Sequence, residues 1–260
     1  MRAISWNVNS LRTRLERVLG VLERHQPDIL CLQETKVTND QFPHPALAEV
    51  GYKAVVHGQK TYNGVALLSK VGLEDVQIGF PNDPVAEEAR VISAKLGGLR
   101  FINLYVINGK EVGCDKYVRK MGWLDALNQW IGELRAQGEE MVVLGDFNIA
   151  PEDRDVYDPD GWRGKIHFSE EEHQRLAAMQ AHGLEDLYRL HHEEAGLYSW
   201  WDYRGGAFPR DHGLRIDLAL GSPAAVSRCI GSEIDREERK KGTWEAKPSD
   251  HAPVIVDFQE

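Results

Sequence analysis

Short apolar runs dominate the chain, and helix-spaced apolar stripes are few. Residues 2–8 (RAISWNV) predict a strand. Residues 12–25 follow with Leu15, Val18, Leu19 and Leu22 at helical spacing, and Gln26-Pro27-Asp28 ends that helix. Residues 28–33 (DILCLQ) predict a second strand, and shorter strands are expected near 52–57, 64–69, 90–96 and 99–106. Residues 115–136 predict a long amphipathic helix with Leu124, Leu127, Trp130, Ile131 and Leu134 on one face. Met141 to Leu144 are all apolar, with two β-branched valines at the centre, as a strand covered on both faces should be. The polar stretch 149–168 is too long for a plain connection, which points to a loop that is functional or ordered by a partner. Ser169 and Glu172 form a capping-box pattern opening another helix. Strand-like pieces at 198–201, 214–220 and 252–258 complete the series. With no linker, low-complexity tract or clear internal repeat, the pattern predicts a single α/β domain over 1–260, with two packed sheets flanked by helices.

Polar residues recur where these strands stop. Asn7 and Asn9 follow the first strand, and Gln33 and Glu34 end the second. Tyr105 and Asn108 close "FINLYVING", and Asp146 and Asn148 close "MVVLGDFN". Asp217 lies inside "GLRIDLAL", and Asp250-His251 precede the last strand. Asn and Asp are common turn formers after strands. An Asp inside an apolar run is different, because a buried charge needs a partner. Carboxylate and amide oxygens without clustered Cys or His are the ligands of a hard cation, Mg2+ or Mn2+. A His beside a carboxylate can be held as an imidazolium next to negative charge. Together these groups point to metal-assisted attack on a phosphate ester.

Composition narrows this reading. The 260 residues are 42% hydrophobic with seven Trp, ample for a sizeable core. Asp and Glu number 41 against 31 Lys and Arg, a net charge of −10. That argues against a non-specific polyanion binder, although a cation-gathering site would itself carry carboxylates. Cys31, Cys114 and Cys229 lack CxxC spacing, which disfavours zinc and disulfides and suggests a reducing, cytoplasmic setting. No signal segment and no bilayer-length apolar run is present, so no membrane role is expected. The P-loop, GxGxxG, HExxH and GxSxG signatures are all missing.

The blocks "SWNVNSLR", "PDILCLQETK", "TYNGVALLS", "LYVING", "GDFNIAPEDRD", "YSWWDYR", "GLRIDLAL" and "KPSDHAPV" resemble, in order, the signatures of the exonuclease III family. These are Mg2+-dependent abasic-site endonucleases and 3′-repair exonucleases of the DNase I-like phosphodiesterase superfamily. The resemblance runs from Ile4 to Pro253 and implies a four-layer αββα sandwich of two mainly antiparallel sheets. It also implies that the strand ends converge on one cleft. By this likeness Glu34 is the principal metal ligand, with Asn7, Asn9, Asp250, Asp146, Asn148 and His251 around the metal. Asp146 holds or deprotonates the attacking water, and Asn148 bonds that water or the phosphate. His251, oriented by Asp217, stabilises the pentacovalent phosphorus, while Tyr105 and Asn7 contact the scissile phosphate. An ordinary Asp is a weak base at neutral pH, so either the metal acidifies the water or Asp146 is perturbed. Asp146-Phe147-Asn148 should alternate, two polar groups facing the cleft and Phe147 the packing.

The implied substrate is double-stranded DNA with an abasic site or a 3′-blocked nick, acted on by a monomer, with Mn2+ as a substitute for Mg2+. Trp200 and Leu214 match the lining of the family's pocket for an extrahelical sugar, though Trp200-Trp201 also read as core aromatics. Arg90, Lys116, Lys60, Lys36 and Arg119 are candidate phosphate holders or plain surface charges. Two positions depart from the family: Ile107 in "LYVING", where many relatives have Pro, and His167 in "KIHFSEEE". His167 is either a surface residue of a capping loop or a bulky group that hinders an internal flipped sugar and favours blocked 3′ ends. Two rival readings stay open, a phosphoesterase with a non-DNA substrate and a catalytically silent nucleic-acid-binding regulator.

Overall fold

The computed structural model describes every residue except Thr243. Two six-stranded sheets lie face to face with helices outside, the four-layer sandwich that the sequence predicts. The first sheet takes β1 (Arg2–Asn7), β2 (Ile29–Gln33), β3 (Lys53–His57) and β4 (Val65–Ser69), with β11 (Cys229–Ile234) and β12 (Val254–Phe258), in the order β11-β12-β1-β2-β4-β3. The second takes β5 (Glu74–Ile78), β6 (Val91–Leu96), β7 (Leu99–Tyr105), β8 (Met141–Asp146), β9 (Glu185–Asp186) and β10 (Asp217–Gly221), in the order β5-β6-β7-β8-β10-β9. Among the described residues only β1–β2 and β7–β8 pair in parallel; the other strand pairs are antiparallel.

The helices include α1 (Leu11–His25), α2 (His44–Glu49), α3 (Asp115–Ala136), α4 (Pro159–Trp162), α5 (Glu170–Gln180) and α6 (Pro223–Arg228). Alternation along β8 shows how the layers are glued. Val142 and Leu144 enter the core between the sheets, while Met141 and Val143 enter the core beneath α3 and α5. Both faces of β8 are therefore dry, which is why its sequence shows no polar alternation. The predicted apolar face of α3 is buried at Leu124, Leu127, Trp130 and Ile131, with Leu134 partly covered. The capping box at Ser169 and Glu172 opens α5 as expected.

Three expectations change. Residues 198–201 form no strand; Trp200 makes isolated bridges to Leu214 and His251. The strand expected at 214–220 begins only at Asp217, because Leu214 pairs with Trp200 and the Arg215 N–H donates to the Asp155 carbonyl. Strands β5, β9 and β11 were not predicted; β5 is largely exposed, β11 is half-buried, and both lack a long apolar run. The 149–168 loop is ordered from within the chain. Asp155, fully buried, binds Arg215 and Arg189, and Arg215 also holds Asp186 at 2.7 Å.

Candidate active site

The ends of β1, β2, β7, β8 and β10 bring the polar residues together. Parallel pairing places Asn7 of β1 beside Gln33 of β2, so Glu34 emerges next to Asn7. In the facing sheet, antiparallel register sets Asp217 directly opposite Asp146, and parallel register sets Tyr105 beside it. Asn7 spans the two sheets: its Nδ2 donates to Asp146 Oδ2 at 2.9 Å and to Glu34 Oε1 at 3.4 Å. The Tyr105 hydroxyl donates to Glu34 Oε1. Asn9 Nδ2 donates to Asp250 Oδ1 and Trp200 Nε1 to Asp250 Oδ2, at 2.9 and 3.0 Å. His251 Nδ1 lies 2.9 Å from Asp217 Oδ2, and its Nε2 faces Asp146 Oδ2 at 3.7 Å.

The local backbone explains the placement. Gly145, just before Asp146, lies so close to β7 that a Cβ would sit 2.0 Å from the Leu104 carbonyl. Asp146 Oδ1 accepts the Asn148 N–H at 2.9 Å, and Asn148 takes a left-handed turn with φ 50°. Phe147 is fully buried in the helix-side core. Asn9, Glu34 and Lys36 also have positive φ, so each loop bends sharply where it enters the cleft.

Charges here are strongly displaced. Burial works against an imidazolium, but Asp217 and Asp146 outweigh it and raise His251 to about 10. Asp146 is raised to about 7, because burial and Asp217 disfavour its charge more than His251 favours it. Asp250 is held below the usual carboxylate range; burial opposes this, but His251, Asn9 and Trp200 prevail. Burial, Glu34 and Asp146 lift the Tyr105 hydroxyl well above 10, keeping it a neutral donor.

Asp146, Asp217 and His251 bring ligand atoms within 4.8 Å of one another, a group that could hold a metal. His251 Nδ1 already bonds Asp217, and a protonated imidazole has no lone pair to offer, so this group is better explained as a hydrogen-bonded triad. A second set of donors, all oxygen, lies beside it in Glu34, Asn9 and Asp250. Lys36 Nζ sits 2.8 Å from Glu34 Oε2 and 2.6 Å from Asn9 Oδ1, so an ammonium marks where these oxygens favour a cation. Such donors fit a hard divalent ion.

An apolar cluster and a recess flank this network. In the cluster Leu214, Ile216, Val156, Phe168 and Ala150 are buried together, with Trp162 and Trp200 packed on them. His167 stands against this cluster, 6.2 Å from Trp162 and 6.3 Å from Trp200 between ring centroids, and is only 6% exposed. It is therefore not a surface residue. The recess, of about 530 Å³, is lined by Arg90, Tyr105, Asn108, Lys110, Lys116 and Arg119, among others.

The Endonuclease/Exonuclease/phosphatase family model matches residues 4–251. The chain belongs to this family. Exodeoxyribonuclease III of Haemophilus influenzae is 35% identical over the whole of both chains. Two solved structures superpose over the full length of both chains. The 3′ phosphatase NExo (D146N) from Neisseria, bound to a product DNA hairpin, has 43% identity and a TM-score of 0.95. The AP endonuclease from Archaeoglobus fulgidus has 35% identity and a TM-score of 0.93. The chain is thus an exonuclease III-type enzyme, and the resemblance read from its sequence blocks holds.

In this enzyme the structure joins Asn7, Asn9, Glu34, Tyr105, Asp146, Asn148, Asp217, Asp250 and His251 in one network, with Trp200 attached through Asp250. Arg90 is less free than a phosphate holder would be. Its Nε donates to Glu88, one terminal nitrogen donates to the Tyr105 carbonyl, and its guanidinium lies 5.0 Å from the Tyr105 ring centre. Lys116 and Arg119 line the basic recess, whereas Lys60 does not. Trp201 is core, fully buried, while Trp200 is at the site. Ser199, whose Oγ donates to Asp217 Oδ2 at 2.6 Å, escaped the sequence reading. So did Trp162 and the buried pair Lys120–Glu172. A lone Ser beside two Trp carries no periodic or spacing signal, and Lys120 reads as one more helix-surface charge.

Proposed function

We propose that this enzyme is a Mg2+-dependent DNA-repair hydrolase of duplex DNA whose main work is at 3′ ends, removing 3′-phosphate and other blocking groups and leaving a 3′-hydroxyl. Incision at internal abasic sites and 3′→5′ exonuclease action are the weaker activities. The observation that carries the 3′-end reading is the buried His167 imidazole packed beside Trp200 and Trp162 on the apolar cluster. An extrahelical sugar needs room among such side chains; a terminal phosphate needs only the polar residues of the network. The 43% identity to a protein described as a 3′ phosphatase supports the same reading.

The chemistry follows from the geometry. Asp146, aimed by Asn7 and the Asn148 N–H, accepts a proton from water as its oxygen attacks phosphorus. The bond from phosphorus to the 3′-oxygen breaks, and the departing oxygen takes up a proton. His251, kept protonated by Asp217 and steered by its 2.9 Å bond to it, donates Nε2–H toward the phosphate oxygens and offsets their growing charge. Asn148 keeps one amide hydrogen for the same region after donating the other to the Val106 carbonyl at 3.0 Å. Glu34, Asn9 and Asp250 would hold Mg2+, with Lys36 moving aside toward phosphate. When bound, the ion supplies charge neutralisation and acidifies water. A value near 7 for Asp146 makes it a competent base even before that help.

The general abasic endonuclease is the second reading, favoured by the likeness to the Archaeoglobus enzyme. Initial rates on two matched duplexes separate them, one with a nick ending in 3′-phosphate and one with an internal abasic analogue, each with Mg2+ and with EDTA. Faster 3′-phosphate removal, abolished by EDTA, is expected; faster internal incision overturns the 3′-end reading. His167→Gly should raise internal incision relative to 3′-phosphate removal by roughly 10–200-fold, the range a reshaped pocket gives.

A further inference from the structure

Lys120 and Glu172 are both fully buried and oppositely charged, and the chemistry above uses neither. They join α3 to α5 directly beneath the cleft. Lys120 Nζ donates to the Asn148 carbonyl at 2.8 Å and lies 3.4 Å from the Asn108 carbonyl, besides pairing with Glu172 Oε1. Glu172 Oε1 also accepts the His167 N–H at 3.1 Å, and its Oε2 accepts the Ser169 N–H at 3.1 Å and the Ser169 hydroxyl at 2.7 Å. His167 Nδ1 then lies 2.8 Å from the same Asn148 carbonyl that Lys120 binds. His167 has φ 72° and Asn148 φ 50°, unusual for residues with side chains.

From this geometry we infer that the Lys120–Glu172 pair is a positioning unit: it clamps the Asn148 and His167 backbones so that the His167 imidazole is held against Trp162, Trp200 and the apolar cluster, and it thereby sets the preference between 3′ ends and internal abasic sites. The inference rests on the role proposed above for His167. Buried ion pairs are weak stabilisers, so the presence of one under a cleft calls for another use. The Asn148 carbonyl is only an acceptor, so Nδ1 must carry the imidazole proton, leaving the Nε2 lone pair as the ring's other face. The apolar cluster thus meets a ring fixed at its backbone N–H by Glu172 and at Nδ1 by the Asn148 carbonyl.

The test replaces the whole pair, Lys120→Met with Glu172→Met, which leaves no buried charge unpaired. The readout is the ratio of kcat/KM for 3′-phosphate removal to that for internal abasic incision, with the melting temperature measured alongside. A scaffold role moves both rates together and leaves the ratio alone. The expected result is a ratio lowered about tenfold, and a further change of less than about twofold when the pair is removed in a His167→Gly background, since independent sites would add. An unchanged ratio, or the same fall in the His167→Gly background, overturns the inference. Should the double variant fail to fold, Glu172→Gln gives the same comparison with one atom altered. His167→Gly alone separates the two ideas. If it leaves the ratio unchanged, the His167 reading fails and the clamp with it; if it shifts the ratio while the pair variants do not, only the clamp fails.

Discussion

The strand-borne polar network and the loop-borne apolar cluster are adjacent but built by different physics. Asp146, Tyr105 and Asp217 stand at neighbouring positions of three paired strands, so the sheet register alone sets their spacing. The apolar cluster joins residues of 149–168 to Trp200, Leu214 and Ile216, all outside the named strands. There, buried charges set the spacing: Asp155 with Arg215 and Arg189, and Lys120 with Glu172. Regular backbone positions the groups proposed to react, and ion pairs position the groups proposed to select the substrate. A site divided this way can change its preference in the loop without disturbing the strands.

The largest effect should come from breaking the strand-borne half. Asp146→Asn removes the proposed proton acceptor and is expected to lower kcat/KM by about 10²–10⁴-fold. Its melting temperature at pH 8 should not fall, because a buried carboxylate that resists ionisation is being replaced by a neutral amide. Turnover retained within tenfold would move the base elsewhere.

Breaking the loop-borne half should instead cost stability. Asp155→Ala strands Arg215 and Arg189 without their shared buried partner and should destabilise by about 3–5 kcal/mol in denaturant unfolding. At temperatures where the variant is folded, lesion preference should shift before phosphate chemistry is lost. Equal loss of both would mean that the loop and the strands are one mechanical unit.

pH separates the halves differently. Asp146 is raised from 3.8 to about 7, so the folded chain holds more protons than the unfolded one in that window and stability falls as pH rises through it. The His251 contribution, from a value raised from 6.5 to about 10, is fully present below about 6.5 and lost as pH climbs through about 10. Asp250, depressed below 3.8, adds stability above that value that is lost only in acid. Unfolding midpoints at pH 5, 7 and 9 should therefore decline in order, and Asp146→Asn should flatten the first step.

The smallest effect concerns the basic recess. Glu88 engages both Arg90 and Arg119 there, so it competes with DNA phosphate. Glu88→Gln should tighten DNA binding a few-fold and steepen the dependence of log K on log salt by up to about one unit. An unchanged slope would mean that neither guanidinium meets the backbone.

How far the sequence could be read follows the same division. Layer architecture, α1, α3, α5 and nine of the strands were visible because apolar periodicity is a local property and the core enforces it. The polar residues at strand ends were visible for a related reason: a carboxylate leaving a dry strand interrupts the pattern. Strands β5 and β11 left no such mark, since half-exposed edges tolerate mixed residues. The 198–201 segment looked like a strand because Tyr198, Trp200 and Trp201 are apolar, yet its Trp200 bridges two different segments instead of joining a sheet.

The sequence by itself determined the fold class, the oxygen-rich donor set and the family, because each is written in residue types and local order. Only the tertiary structure decided that His167 is buried, that Lys36 bridges Glu34 and Asn9, that Arg90 is tied to Tyr105 and Glu88, and that Lys120 on a helix reaches beneath the cleft. These are contacts between segments from 2 to 52 residues apart, and the longer ones depend on how loops close and helices pack. Burial and charge pairing belong to the packed assembly, and no periodicity along the chain encodes them.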